Sequence, residues 1–150
     1  MTVNLTNCYQ IDIPVSFTSA DEIEIQKYFG ESEDVQGLYV DNEHHAMIVC
    51  SMPKEVDESY NLGEEIIAIK NAIKKDVNQC SILGLYKRHL DKGELYLVQY
   101  TYKIGTRNMY SVSAFFIADR HYYNVNCVCR SNMYSKMNEC FMDVIDSIRV

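Results

Sequence analysis

The sequence predicts an α+β fold, a largely antiparallel β-sheet flanked by helices on both faces, and three observations carry that prediction. Glu94 to Arg130 holds three proline-free runs rich in Tyr, Val, Ile and Phe, divided by Gly105-Thr106-Arg107 and by Asp119-Arg120. Runs of that composition between compact breaks form an antiparallel meander. Two stretches outside it repeat apolar residues at helical spacing: Leu62, Ile66, Ile69, Ile73 and Val77, then Met133, Met137, Cys140, Phe141, Val144, Ile145 and Ile148. Each stripe needs another surface to bury against. Finally, strands and helices come in groups rather than in strict alternation, which favours α+β over α/β.

Side chains alternate along a strand, so each run of the meander has two faces. Tyr96, Val98, Tyr100, Tyr102 and Ile104 share one face of the first run, opposite Leu95, Leu97, Gln99, Thr101 and Lys103. In the third run Tyr123, Val125, Cys127 and Cys129 oppose Tyr122, Asn124, Asn126 and Val128. One face is almost wholly apolar and requires covering helices, while the other mixes aromatic and polar groups.

The remaining elements follow in order. Tyr9 to Pro14 alternates as a half-buried strand, and Ser19 with Glu22 has capping-box spacing ahead of a short helix, Ala20 to Phe29, stopped by Gly30. Gln36 to Val40 and Ala46 to Ser51 read as strands, the second closed by Pro53. Lys54 to Tyr60 reads as a charged connector, and Asn61 with Glu64 caps the long helix. Ser81 to Leu90 is a strand that Asp91-Lys92-Gly93 turns into the meander, and Asn132 is the candidate cap of the last helix.

This order resembles the PsbP-like superfamily, an α/β/α sandwich shared with bacterial DcrB-like proteins and the Ran-binding import factor of eukaryotes. The residues that carry the resemblance are Tyr9-Gln-Ile-Asp-Ile-Pro-Val-Ser-Phe17, the helix before the meander, Tyr122-Tyr123-Asn124-Val125, and the close of the chain at Ser147-Ile148-Arg149-Val150. The resemblance spans about Cys8 to Val150 and implies a non-catalytic binding scaffold, with no residue motif to carry over.

Length and composition set bounds. A chain of 150 residues is expected to form a single domain, 1–150, burying about 68–70% of its unfolded surface. No apolar run reaches the roughly 20 residues of a membrane span, and the first ten residues lack the pattern of an export signal. The expectation is a cytoplasmic protein whose six cysteines are mostly buried core thiols. The net charge of −7 is unevenly divided: residues 1–65 hold 14 acids and 2 bases, residues 66–150 hold 7 acids and 12 bases. That acidity argues against nucleic-acid binding, which rests on neutralising phosphates. The acidic half, including Glu31, Glu33, Asp34, Asp57 and Glu58, suits a basic protein partner.

Chemical motifs are few. Adjacent residues on a strand point apart, so His44 and His45 beside Glu43 read as turn residues rather than ligands of one ion. His89 and His121 lie next to turns, and Cys80 and Cys129 are the faint candidates for a reactive thiol. No glycine-rich phosphate loop, Gly-x-Ser-x-Gly or His-Glu-x-x-His occurs. Neither catalytic residue, metal nor cofactor is therefore expected.

The tyrosines are the other signal. Tyr96, Tyr100, Tyr102, Tyr110 and Tyr122 are expected to form an aromatic and polar platform on one sheet face. The functional expectation is a bacterial protein-binding module holding a secreted toxin or effector, as an immunity protein through the acids or as a chaperone through the tyrosines. The alternative is a small-ligand or metal-binding protein, or a cysteine-dependent enzyme, built on His44, His45, His89, His121 and the thiols.

Overall fold

The computed structural model describes residues 1–5, 8–30 and 34–150. In chain order its elements are β1 (Thr2–Leu5), β2 (Tyr9–Asp12), β3 (Thr18–Ser19), α1 (Glu22–Phe29), β4 (Val35–Asp41), β5 (Ala46–Ser51) and β6 (Lys54–Glu55). There follow α2 (Leu62–Asp76), β7 (Ser81–Leu90), β8 (Gly93–Ile104), β9 (Arg107–Ala118), β10 (His121–Arg130), a 3₁₀ turn (Ser131–Met133) and α3 (Tyr134–Asp146).

The meander forms where the aromatic and β-branched runs stand, and it sets the topology. β1 and β2 pair as a hairpin, and the main sheet is ordered β3-β4-β5-β10-β9-β8-β7, with β6 paired to the start of β10. After β6 the chain crosses one face as α2 to reach β7 at the far edge. Three hairpins then bring it back, so that β10 pairs antiparallel with β5. From the end of β10, α3 crosses the opposite face.

Each face has its own core. On the α3 side Leu95, Leu97, Val112, Phe116, Tyr123, Val125, Cys127 and Cys129 meet Met137, Phe141, Val144 and Ile145 of α3 and Ile11 of β2. On the other side Val98, Tyr100 and Phe115 meet Leu62 and Ile66 of α2. For the first and third runs of the meander, the alternation in the sequence had divided these residues in the same way; the faces of Val112, Phe115 and Phe116 in the second run had not been assigned.

Several local expectations are corrected. Ser19 does not cap the first helix: as part of β3 it pairs with Tyr39 of β4, and Asp21 accepts from the Glu24 amide at 2.9 Å instead. Asn132 is not the cap of α3, because the last helix begins with a 3₁₀ turn and Met133 precedes its first residue without a side-chain cap. The charged connector contains β6, and β1 was not foreseen. Asn61 does cap α2, accepting from the Glu64 amide at 3.3 Å, and Gly30 ends α1 at φ 69°. That left-handed backbone favours glycine.

Candidate functional site

The tyrosines divide between faces. Tyr96, Tyr100, Tyr102 and Tyr122 stand on the α2 side. Tyr110 does not: it pairs in register with Thr101, a residue of the Leu97 face, and its ring lies in the α3-side core. Its hydroxyl donates to Asn138 of α3 at 2.5 Å and accepts from Gln99 at 2.9 Å. The expected five-ring platform is thus corrected to four, because the register of β9 sends Tyr110 through the sheet.

Of the four, α2 takes two. Tyr100 is buried and shares a 3.1 Å hydrogen bond with Ser113, while Tyr96 donates to Glu94 at 2.8 Å beneath the first turn of α2. Gly63 permits that approach, since a Cβ there would stand 2.9 Å from the Tyr96 hydroxyl. Tyr102 and Tyr122 remain half-buried, and burial pushes both phenols above their ordinary range.

Beyond the reach of α2 the same face is open. A trough of about 470 Å³ runs over Met47, Val49 and Val128, with Tyr28 and Phe29 of α1 and Tyr102 among its other lining residues. A second hollow of about 300 Å³ adjoins it at Val49 and continues to Phe115 and Tyr122. The floor is built by register: Leu38, Val49, Asn126, Ser113 and Val98 form one row across the sheet, and Val40, Met47, Val128, Ser111 and Tyr100 form the next.

The wall on the α1 side is unusual in its packing. The helix has no buried residue, and Ile23, Tyr28 and Phe29 are 78%, 50% and 37% exposed. An isolated helix of eight residues is marginal, and most helical stability comes from burying an amphipathic face. Here Ile23, Tyr28 and Phe29 stay exposed.

Asn126, Ser111 and Ser113 form a polar group within the otherwise apolar floor. Asn126 Oδ1 accepts from Ser111 at 2.5 Å and from Ser113 at 2.8 Å, and both serines are buried. Its oxygen is occupied by the two serines of the neighbouring strand, so the amide NH₂ is the end available to the trough. Asp41, Asn42, Arg107, Arg130 and His45 complete the polar lining. Burial works against the charge of Asp41, but hydrogen bonds from the His44 ring and backbone outweigh it and hold the carboxyl below its ordinary range. The His44 Nδ1 is 2.7 Å from that carboxylate.

The other expected residues are dispersed. Glu31 and Glu33 lie outside the described residues, and Asp34 lines the smaller hollow. Asp57 accepts from the backbone and hydroxyl of Ser59, and Glu58 pairs with Arg120 at 2.7 Å. His89 and His121 stand on β7 and β10, with β8 and β9 between them. Among the described residues no three His, Cys, Asp or Glu side chains are grouped to hold a metal. Burial pushes the Cys50 thiol up to about 12 and Cys129 to about 11, and it raises Cys80, Cys127 and Cys140 as well.

Sequence reasoning missed Met47, Val49, Arg107 and Arg130 as site residues. The one signal was Asn126, a polar residue amid an apolar strand; it shares a face with Tyr122 and Val128.

The profile of the PsbP family matches residues 3–150. The fold is similar to cyanobacterial PsbP (CyanoP) from Synechocystis, at 14% identity and a TM-score of 0.72, covering 100% of this chain and 91% of that one. It is also similar to the Ran-binding protein Mog1p of Saccharomyces cerevisiae, at 9% identity and a TM-score of 0.61, covering 100% and 94%. LpqN of Mycobacterium tuberculosis, described as involved in cell envelope biogenesis, has 8% identity and a TM-score of 0.61, covering 94% and 82%. Likeness at these identities is one of fold. No curated protein matches the sequence.

Proposed function

The chain belongs to the PsbP family, and from that premise we propose that it is a non-catalytic protein-binding module holding an apolar segment of a partner in the trough beside α1, on the part of the sheet face that α2 leaves uncovered. The observation that carries this reading is the half-covered sheet face: α2 shields Val98, Tyr100 and Phe115, whereas Met47 and Val49 are only partly buried, in a trough beside a helix with no fully buried residue. Concave apolar surface with exposed aromatic neighbours is a common form of docking site.

Within that class a chaperone or adaptor for a secreted effector is favoured over an immunity protein. The trough is apolar, while Asp57 and Glu58 are engaged by Ser59 and Arg120 within their own neighbourhood. Buried thiols at Cys50, Cys127 and Cys129 suit a reducing, cytoplasmic setting. They do not suit a cysteine-dependent enzyme, because a nucleophilic thiol needs a lowered pKa and these are raised. That the similar Mog1p is described as Ran-binding is consistent with a protein partner on this fold.

Affinity capture from the native host's lysate, at low and at high salt, tests the reading when wild type is compared with Val49→Lys. The expected result is one dominant protein at near-equal amount, retained at high salt and lost from the variant. Equal capture by Val49→Lys, or loss of the partner at high salt alone, overturns it.

A further inference from the structure

We propose that the segment held in the trough is an amphipathic helix bearing a carboxylate, and that Arg107, Arg130 and the Asn126 amide receive that carboxylate. The inference rests on the docking reading above and specifies the chemistry of its occupant.

Both arginines line the trough. They stand on neighbouring strands at one end of the α2-side face, since Arg130 pairs in register with Met109 and Arg107 lies two residues further along β9. Among the described residues neither guanidinium has a carboxylate within ion-pair distance. The other arginines, Arg88, Arg120 and Arg149, are each paired. On a chain of net charge −7, two unpaired cations beside an apolar floor are a local inversion of the prevailing field.

Asn126 lies on the same strand as Arg130 and offers its NH₂ toward the same trough, its oxygen being held by Ser111 and Ser113. The acid that borders the trough, Asp41, is already bonded to His44. Among the described residues donors therefore outnumber acceptors at this end, and an apolar occupant without an anion would cover two guanidiniums and leave them without a counter-charge. That penalty selects for an occupant that carries one.

The openness of the trough decides the form of the occupant. Tyr28, Phe29 and Ile104 on its borders remain 50%, 37% and 57% exposed, so whatever lies there is covered on one side. An acyl chain would keep its other side in water, whereas an amphipathic helix has one apolar stripe to bury and a polar face to leave out.

The test uses two designed, fluorescently labelled amphipathic peptides with Leu at i, i+3, i+4 and i+7. One carries Glu at the border of the stripe and the other Gln, and binding is read by anisotropy. Wild type is expected to prefer the Glu peptide by about fivefold, the range of a partly exposed charge-assisted contact. The double variant Arg107→Gln/Arg130→Gln, with an unchanged melting temperature, erases the preference without weakening the Gln peptide. Val49→Lys weakens both peptides. Equal binding of the two peptides to wild type, with Val49→Lys still weakening both, overturns the carboxylate proposal and leaves the docking reading standing. Binding of neither peptide overturns both, as does binding unaffected by Val49→Lys. A wild-type dimer that Val49→Lys dissociates would identify the occupant as a second copy and also overturns the proposal.

Discussion

Asn126 Oδ1 accepts a hydrogen bond from Ser113 at 2.8 Å across the β9–β10 ladder, and this contact sets which end of the amide meets the trough. With Ser111 donating to the same oxygen at 2.5 Å, one side chain satisfies two buried hydroxyls. Removing it by Asn126→Ala leaves Ser113 with Tyr100 and Ser111 with the Cys127 carbonyl at 3.3 Å. The expected loss is about 1 kcal/mol, the net worth of a typical intramolecular hydrogen bond, because each hydroxyl keeps a partner. Thermal unfolding checks it, and Ser113→Ala in the Asn126→Ala background is expected to cost less than in wild type.

The two helices on the α2-side face differ in what they contribute to stability. Ile66 is 3% exposed and packs on Val98 and Phe115, so Ile66→Ala is expected to destabilise by about 2–4 kcal/mol. Ile23 is 78% exposed, and Ile23→Ala is expected to change stability by no more than about 0.5 kcal/mol. Chemical denaturation of the two variants measures the contrast. A large loss at Ile23 would mean that α1 is a structural wall and not a docking surface.

Asp12 ties the N-terminal hairpin to the end of the chain. Hydrogen bonds from Arg149 and Thr2 hold its carboxyl down at about 2, below the ordinary 3.8. A carboxyl lowered in the folded state adds stability that is complete above its unfolded value and disappears as pH falls through the folded one. The window is thus from about pH 4 down to about pH 2. Arg149→Gln is expected to raise the Asp12 pKa toward its ordinary value, read by NMR titration of the carboxyl carbon, and to flatten acid unfolding in that window.

The buried thiols give a kinetic prediction. Cys50, Cys127 and Cys129 are buried, and the first and last are pushed up to about 12 and about 11. Alkylation near neutral pH followed by mass spectrometry is expected to leave these three unlabelled in the folded protein and to label them on unfolding. Rapid labelling of Cys129 in the native state would reinstate the reactive-thiol alternative.

Much of the fold was legible in the sequence because both of its periods were clean. Leu62 to Val77 fixed α2, and the alternation from Leu95 to Ile104 divided the two cores correctly. Thr2–Leu5 escaped because a four-residue strand with one buried residue has almost no pattern to read. Tyr110 was misplaced because its face depends on which residue of β8 it pairs with, and register is not written in composition. The trough was illegible for a related reason. Its floor joins Val49, Asn126 and Val128 from strands separated in sequence by α2 and the meander, and its openness depends on α1 having no fully buried residue.

Site-specific photo-crosslinking in the native host tests the central claim most directly, with the reactive group placed at Met47 in the trough and, separately, at Glu139 on the exposed side of α3. The account predicts a single crosslinked partner from Met47, abolished by Val49→Lys, and none from Glu139. Crosslinks from Glu139 with none from Met47 would contradict it.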